Sequence, residues 1–299
     1  MEPVKVSVII PCYNEEGTIE ELLNAILAQT YPVDRLEVII ADGLSTDRTR
    51  ERITNFKAGH PQLTLKVVEN HQRTIPAALN QAIAASTGEV LSRMDAHAIP
   101  APDYIEKCLA ALLAGFGENT GGVIDIRHGS DTWIGRAIAV ATAHPLGVGD
   151  AHYRTATKAG ITDTVAFGTY RRELVERIGG YDETLRINED YEFNTRVRRA
   201  GGKILVDPAI RVAYYSRPDL RSLAATALTP VLPSQSWISA IKASASFSAT
   251  SSAAKRKASR SQSSGPAAGV SFRIMSSHRA MCGSGSRKAA RRSSRQPCS

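Results

Sequence analysis

Strand-like and helix-like segments alternate through the first hundred residues of this 299-residue chain. Runs rich in β-branched and apolar residues predict strands at 6–10, 36–41, 64–68 and 89–94. Between them, apolar residues recur at helical spacing over 19–27 and 75–85, and a polar helix is expected from about Asp47. Such alternation is typical of the α/β class, in which a mostly parallel sheet is covered by helices on both faces.

The pattern becomes mixed beyond residue 100. We expect helices over 103–114, 132–142, 171–178 and 190–200, and strands over 122–126, 203–206 and 210–214. Thr18 and Glu21 have the spacing of a capping box at the start of the first helix. Gly201 predicts the end of the last helix. The segment 144–163 has no clear period, and a loop of this length in a compact domain is usually functional.

Carboxylates stand where predicted strands end. Asp42 and Asp95 each follow a strand, and ligands of open parallel sheets bind at the carboxyl ends of the strands. His97 comes two residues after Asp95, so an extended backbone would direct both side chains to the same side. A divalent cation could contact both. The alternative is a turn in which Asp95 bonds its own backbone.

The common nucleotide-binding motifs are absent from the sequence. The residues that follow the first strand, PCYNE at 11–15, contain no glycine, so no G-x-G-x-x-G dinucleotide motif follows this strand. A G-x-x-x-x-G-K-[ST] phosphate loop is absent as well. Convergent acids at one rim then indicate a metal or a sugar as the ligand.

Five short motifs, taken in order, resemble those of the inverting family 2 glycosyltransferases with the GT-A fold. They are VIIPCYNE at 8–15, DGLSTD at 42–47, DAH at 95–97, GGYDE at 179–183 and NED at 188–190. The resemblance covers residues 4–222, and DAH together with AFGTYRR at 166–172 is most similar to bacterial transferases that build succinoglycan-type exopolysaccharides. It implies a Rossmann-like, mostly parallel mixed sheet and sugar transfer from a nucleotide sugar.

This resemblance assigns the donor side of the site. It implies that Asp42 accepts a hydrogen bond from uracil N3 of a UDP sugar, because that nitrogen is a donor. Four other residues would bind the nucleotide: Pro11, Tyr13 beside the base, Glu15 and Arg73. The alternative role of Asp42 is to cap the next helix, and a single arginine is as readily a solvated surface residue.

The resemblance also implies Mn²⁺ or Mg²⁺ as the cofactor. Asp95 would hold the cation, and His97 stands at the second metal-side position, where many relatives have Asp. Imidazole is an acceptable ligand for Mn²⁺ but a poor one for Mg²⁺, which prefers oxygen. The alternative is that His97 contacts the diphosphate directly.

The NED motif implies the catalytic residues. Asp190 matches the base that takes the proton from the acceptor hydroxyl, and Glu189 precedes it. The alternative for both acids is a position in the first turn of a helix, where the macrodipole stabilises a carboxylate by ~0.3–1 kcal/mol. Gly168 would let the backbone approach the sugar or acceptor closely, or would serve a turn.

The composition changes at about residue 224. Residues 224–299 hold 12 of the 37 basic residues and none of the 29 acidic ones, and 20 of these 76 residues are Ser. Such a segment buries too little apolar surface to offset its ordering entropy. We expect a glycosyltransferase domain at 1–223 and a disordered tail at 224–299. The tail is either a native basic segment that contacts anionic lipid or the product of a shifted reading frame.

The sequence also limits the classes of partner that we expect. We expect a lipid-linked saccharide or polysaccharide acceptor in bacterial exopolysaccharide synthesis, and no nucleic acid, because the body is slightly acidic and the tail has few aromatic residues. Four widely spaced cysteines and the lack of any run of about 18 apolar residues favour a cytoplasmic protein, with peripheral contact at the inner face of the membrane as a further expectation. Two other functions remain open: a catalytically impaired nucleotide-sugar-binding module and a nucleotidyltransferase.

Overall fold

The computed structural model describes residues 3–144, 152–216 and 219–220. All of them belong to the first of the two units into which the chain divides, Met1–Lys242 and Ala243–Ser299. The predicted tail from residue 224 lies outside the described residues. The domain boundary expected at 223 therefore stays a prediction.

Nine strands and eight α-helices make up the described part of the chain. The strands are β1 (Val6–Cys12), β2 (Leu36–Asp42), β3 (Thr64–Glu69), β4 (Val90–Arg93), β5 (Ala98–Pro100), β6 (Asn119–Arg127), β7 (Gly160–Thr162), β8 (Thr169–Arg171) and β9 (Ile204–Tyr215). The helices are α1 (Ile19–Leu27), α2 (Thr49–Gly59), α3 (Ile75–Ala85), α4 (Tyr104–Leu113), α5 (Trp133–Ala143), α6 (His152–Thr155), α7 (Arg172–Ile178) and α8 (Glu189–Arg199). None of these helices is long and apolar enough to cross a bilayer.

All nine strands form one mixed sheet in the order β3-β2-β1-β4-β8-β6-β9-β5, with β7 paired to β9. The first four strands of this order are parallel, as are β6 and β9, whereas β8 is antiparallel to both of its neighbours. This arrangement confirms the predicted α/β class and its mostly parallel mixed sheet.

The register of the parallel strands brings the carboxyl ends of β1 to β4 to one edge of the sheet. Asp42 pairs with Cys12 on one side and with Glu69 on the other. On the opposite side of β1, Ile9 pairs with Arg93, the last residue of β4. The segments that follow these strands, which carry most of the predicted site residues, therefore share a rim.

The central strands β1, β2 and β4 are buried on both faces, whereas the edge strand β3 is largely exposed. Val8 and Ile40 belong to a core that packs against α1, α2 and α4, whereas Ile9 and Ile39 belong to a core that packs against α3 and α8. Full burial of a side chain of this size contributes roughly 1.5–3 kcal/mol. Two buried faces require nearly continuous apolar strands, and this is the pattern that made β1 and β2 predictable.

The strand β9 differs from the prediction made from the sequence. Two closing strands were predicted at 203–206 and 210–214, but Ile204–Tyr215 is one strand. Pro208 lies within this strand although proline cannot donate to a ladder. The pairing with β6 shifts its register between Gly122 and Val123, as at a β-bulge. The three-residue strands β5, β7 and β8 were missed, because each is shorter than the roughly four to eight residues over which a strand pattern is recognised.

The two predicted helix ends have opposite outcomes. The capping box at Thr18 is wrong, because the Thr18 side chain makes no capping bond and instead donates to Glu15 Oε2 at 2.7 Å. The end at Gly201 is confirmed. Gly201 has φ +85°, and the Gly202 amide donates to the Val197 carbonyl at 3.0 Å, which satisfies the last turn of α8.

Candidate active site

Asp42 lies at the end of β2 and is fully buried. Its carboxylate accepts hydrogen bonds from the Ser45 amide at 3.1 Å, from the Ser45 hydroxyl and from the side chain of Arg50. Arg50 also reaches Glu69, the last residue of β3, at 3.4 Å. A nucleobase that bonds to Asp42 would therefore have to displace Arg50 or Ser45.

Asp42 does not cap the following helix. The helix α2 begins at Thr49, and the Thr49 amide donates to Asp47 at 3.0 Å. The capping role that offered an alternative for Asp42 thus belongs to a different aspartate, five residues further along the chain.

Three of the predicted nucleotide-binding residues lie together. The Arg73 guanidinium is 5.7 Å from the ring centroid of Tyr13, and this ring packs against Gly43, where a Cβ would lie 3.1 Å from Tyr13 Cδ2. Tyr13 is 45% exposed, so its ring is available for stacking. Because Gly43 directly follows Asp42, the Tyr13 ring and Arg73 lie next to the buried Asp42. Pro11 lies within β1, opposite Ala41.

Left-handed backbone is concentrated at this rim. In the described part of the chain, the non-glycine residues with positive φ are Asn14, Leu44, Arg73 and Asn188, with φ between 53° and 62°. Each one is, or lies within two residues of, a predicted site residue. Such conformations cost of order 1–3 kcal/mol each and cluster at functional sites. At Asn14 the conformation is held by two hydrogen bonds to the segment after β2, the shorter one at 2.8 Å.

Glu15, the last residue of the VIIPCYNE motif, contacts His97 of the DAH motif. Its Oε1 lies 3.0 Å from His97 Nδ1, and its Oε2 accepts from the Thr18 hydroxyl. The ring of His97 also meets Tyr214 edge-on, with 5.0 Å between centroids. When a carboxylate accepts the proton of Nδ1, the lone pair of the imidazole is on Nε2, which is the arrangement found in metal-ligating histidines.

Arg93 bridges Asp95 and Glu189. Its Nε lies 3.2 Å from Asp95 Oδ1, and its Nη2 donates to Glu189 Oε1 at 2.8 Å. Burial would lower the pKa of Arg93, but the two carboxylates raise it well above its usual value, so this guanidinium is always charged. The sequence analysis missed Arg93. A charged residue within the apolar strand β4 was the available signal.

Asp190 has the chemical properties of a proton acceptor. It is half-buried in the first turn of α8, and its Oδ1 accepts from the Tyr191 amide at 2.8 Å. Burial raises the pKa of Asp190 to about 6, against the opposing charge of Arg93 and with a further increase from Glu189. A carboxylate with this pKa is unprotonated at neutral pH yet basic enough to accept a proton during a reaction.

A cavity of about 240 Å³ unites these groups. Its lining includes Arg93, Asp95, Glu189 and Asp190, together with apolar and aromatic side chains such as Phe167. The structure thus brings one of the two predicted cation residues, Asp95, and the predicted catalytic pair into one cavity, although 94 positions separate Asp95 from Glu189 in the sequence. His97, the other predicted cation residue, is not part of this lining.

Gly168 has a packing reason to be glycine. A Cβ there would lie 2.2 Å from Asn119 Oδ1, a buried side chain, and the Gly168 carbonyl accepts from the Arg93 amide at 2.9 Å. Gly168 does not line the cavity, whereas its neighbours Ala166 and Phe167 do. Its predicted contact with the sugar or acceptor stays a prediction.

The residues present fit a cation that is shared with a phosphate ligand. No group of three or more His, Cys, Asp or Glu side chains within the described residues is arranged to hold a metal ion. Asp95 offers one carboxylate and His97 one imidazole. Mg²⁺ is bound in many phosphate-handling sites by one or two carboxylates with the remaining ligands from the substrate and water. Such a site is completed by the substrate.

Comparison with known proteins agrees with this fold. The chain matches the Glycosyl transferase family 2 profile over residues 7–179. The computed structural model superposes on the mannosyltransferase PcManGT from Pyrobaculum calidifontis, a complex with GDP-Man and Mn²⁺, with a TM-score of 0.56 and 28% identity over 71% of this chain and 57% of that one. S. aureus TarS 1-349 in complex with UDP-GlcNAc has the same fold, with a TM-score of 0.57 and 19% identity over 79% of this chain and 64% of that one.

The fold and the profile together define a glycosyltransferase of the GT-A type. The chain belongs to glycosyl transferase family 2, as its five motifs predicted. It is 31% identical over 215 residues to the succinoglycan biosynthesis protein ExoA of Rhizobium meliloti. This alignment covers 71% of this chain and 64% of that protein. A second relative is a Methanococcus voltae transferase, the dolichyl N-acetyl-alpha-D-glucosaminyl phosphate 3-beta-D-2,3-diacetamido-2,3-dideoxy-beta-D-glucuronosyltransferase, which is 27% identical over 72% of this chain and 68% of its own length.

Proposed function

We propose that this glycosyltransferase moves a sugar from a UDP sugar to a hydroxyl of a lipid-linked saccharide or polysaccharide, with inversion, in bacterial exopolysaccharide synthesis. The observation that carries the proposal is the cavity shared by Asp95 and Asp190, because Asp95, which we propose as the cation ligand, and a carboxylate with a pKa of about 6 line the same space. Family membership favours sugar transfer over the nucleotidyl transfer that the sequence left open.

The donor would lie along the rim formed by the carboxyl ends of the parallel strands. Its base would bond to Asp42 and stack on Tyr13, with Arg73 over the same ring. Arg50, which is paired with Asp42, would turn toward Glu69 or toward a phosphate of the donor. Pro11 and Glu15 would form the floor of this binding site.

The donor diphosphate would then lie near Asp95 and His97. A bound Mn²⁺ or Mg²⁺ stabilises the negative charge of a diphosphate leaving group. Asp95 would supply the carboxylate, and Glu15 would keep the His97 ring in the orientation that directs Nε2 away from it. Mn²⁺ appears in the name of the mannosyltransferase complex, which supports this assignment.

Asp190 would act as the base. A hydroxyl of the acceptor, held in the cavity, would transfer its proton to an Asp190 oxygen while the hydroxyl oxygen attacks the anomeric carbon. Attack on the face opposite the diphosphate inverts that centre. General base catalysis of this kind contributes roughly 10²–10⁴-fold to the rate. Glu189 is paired with Arg93 and would position Asp190 rather than accept the proton.

The acceptor class rests on the relatives. The succinoglycan biosynthesis protein supports exopolysaccharide synthesis, and the name of the Methanococcus voltae transferase describes a sugar on a dolichyl phosphate, which supports a lipid-linked acceptor. The chain spans 64% of the length of the succinoglycan relative.

The test is to incubate the full chain with Mn²⁺ and a panel of UDP and GDP sugars, with and without a lipid-linked saccharide, and to measure released nucleoside diphosphate. We expect release from a UDP sugar that increases when the acceptor is added. Release only from GDP sugars would contradict the assignment of Asp42 to uracil. Donor binding without any release would favour the binding-module alternative.

A further inference from the structure

We propose that Arg93 is a positioning residue of the transfer reaction: it fixes Glu189, and through it Asp190, relative to the donor-side carboxylate of Asp95. This inference rests on the proposed function. It assigns a role to a residue outside the family motifs quoted above, and it makes the relative placement of the two halves of the site depend on one side chain.

The geometry of the bridge requires a guanidinium. Nε of Arg93 meets Asp95 at 3.2 Å and Nη2 meets Glu189 at 2.8 Å, so two nitrogens of one rigid plane contact carboxylates from two separate segments. Those segments are the end of β4 and the start of α8. A lysine has one nitrogen at the end of a flexible chain and cannot fix two carboxylates in this way.

The backbone of Arg93 is itself held on both sides. Its amide donates to the Gly168 carbonyl at 2.9 Å, next to β8, and Arg93 pairs with Ile9 of β1 in the parallel ladder. The side chain is 6% exposed. The backbone of Arg93 is therefore fixed in the centre of the sheet. From this position its side chain can hold the less regular segment that leads into α8, where Asn188 has a left-handed backbone.

The bridge is not the arrangement that stability alone favours. Nη1 of Arg93 is buried and has no hydrogen-bond partner within the described residues, and a buried unpaired donor of a charged group is destabilising. Arg93 also lines the cavity. A buried charge that keeps an unpaired nitrogen beside the reaction cavity is better explained by the placement of reacting groups than by packing.

Arg172 provides a matched control. Its guanidinium donates three hydrogen bonds to oxygens of the last turn of α3 and of the segment that follows it, at Gly88, Ser86 and Ile83, with distances of 2.8, 2.8 and 3.3 Å. It therefore makes a comparable set of bonds away from the cavity lining. Substitution of Arg172 by lysine reports what the loss of a structural guanidinium does to this fold.

The experiment compares wild type, Arg93→Lys, Glu189→Gln and Arg172→Lys for thermal melting, for donor affinity by calorimetry with Mn²⁺, and for kcat of transfer. Misplacement of reacting groups by about 1 Å can cost ~10²-fold in rate. We expect Arg93→Lys and Glu189→Gln each to lower kcat by at least ~10-fold, with donor affinity within ~3-fold of wild type. Arg172→Lys should change melting without changing kcat per folded molecule.

The double variant Arg93→Lys/Glu189→Gln separates the bridge from two independent effects. If both residues act through one contact, its kcat should be no lower than that of the worse single variant, because removal of the second partner then costs nothing further. Losses that multiply would overturn the inference, as would a kcat of Arg93→Lys equal to that of Arg172→Lys.

Failure of this inference is distinct from failure of the proposed function. If wild type releases no nucleoside diphosphate with any donor and acceptor, the proposed function is overturned. If wild type transfers sugar and Glu189→Gln transfers it equally well, only the positioning role is overturned. Glu189→Gln keeps the shape of the side chain, so it decides the matter even where Arg93→Lys does not fold.

Discussion

His97 Nδ1 lies 3.0 Å from Glu15 Oε1, although 82 positions separate the two residues in the sequence. Glu15 belongs to the segment after β1 and His97 to the segment after β4, and parallel pairing of these strands brings the two segments to one rim. Glu15, which we assign to nucleotide binding, thus orients His97, which we assign to cation binding.

Substitution of Glu15 should weaken cation binding. Outer partners of metal-bound histidines typically contribute 10–100-fold to metal affinity, so we expect Glu15→Gln to lower Mn²⁺ affinity in the presence of UDP by about 10-fold. Calorimetry measures this directly. Glu16→Gln is the matched control, because Glu16 is next in sequence but pairs with Arg48. An equal loss in both variants would contradict an orienting role for Glu15.

The identity of residue 97 should set the metal preference. An oxygen ligand suits Mg²⁺ better than imidazole does, so His97→Asp should shift the preference of donor binding from Mn²⁺ toward Mg²⁺. The ratio of UDP affinities with the two metals is the measurement. His128→Asp, at an exposed histidine on the segment after β6, controls for added charge. An unchanged ratio would mean that His97 is not a ligand.

Asp42 should contribute to binding of the base. We expect Asp42→Ala to lower UDP affinity by ~1.5–3 kcal/mol, the usual size for a hydrogen bond to a charged group. Glu69→Ala removes the other carboxylate that contacts Arg50 and leaves Asp42 in place. If Asp42→Ala binds UDP as tightly as wild type, or if both variants lose affinity equally, the nucleobase assignment fails.

The strands of the first half and the rim they form could be predicted from the sequence. Burial on both faces favours nearly continuous apolar runs, as in β1 and β2, and a carboxylate at the end of such a run, as at Asp42, is conspicuous. The segment 144–163 was predicted to be a loop without a period, but its described part contains α6 (His152–Thr155) and β7 (Gly160–Thr162). Tyr153 and Arg154 of this segment line the cavity.

The contacts that unite the site could not be predicted in the same way. The pairs Glu15–His97 and Arg93–Glu189 join residues 82 and 96 positions apart, and no local period encodes such a pair. The capping box failed for a related reason. Thr18 has a better partner in Glu15, whose position depends on the tertiary fold.

Glu37 should make the fold sensitive to acid. Burial alone would raise the pKa of Glu37, but hydrogen bonds from Ser7 and Thr87, together with Lys5, lower it to about 2. A carboxylate with a lowered pKa stabilises the fold at pH values above its pKa in the unfolded chain, which is about 4.3. This contribution is lost as the pH falls toward 2. Stability of wild type should therefore decrease between about pH 5 and pH 2.

Urea unfolding at pH 7 and at pH 3 measures the contribution of Glu37. Glu37→Gln should be less stable than wild type at pH 7, and the difference should shrink at pH 3. Glu51→Gln, on the exposed side of α2, should match wild type at both values. If the free energies of unfolding of wild type and Glu37→Gln differ by the same amount at pH 7 and at pH 3, the charge of Glu37 is not what stabilises the fold.

The central claim is that Asp190 accepts the proton of the acceptor, and the pH dependence of kcat in wild type and Asp190→Asn tests it most directly. Wild-type kcat should fall as the pH drops through about 6, where Asp190 becomes protonated. Asp190→Asn should keep donor affinity, lose at least ~10²-fold in kcat and lack this acid limb.

Glu192→Gln is the control in this measurement, because Glu192 is also an acid in the first turn of α8 but pairs with Arg196. It should melt at a lower temperature and keep the wild-type pH profile. The account is contradicted if Asp190→Asn keeps near wild-type kcat per folded molecule and shows the same acid limb. Asp190 would then be a stabilising acid of the helix terminus, and another group would take the proton.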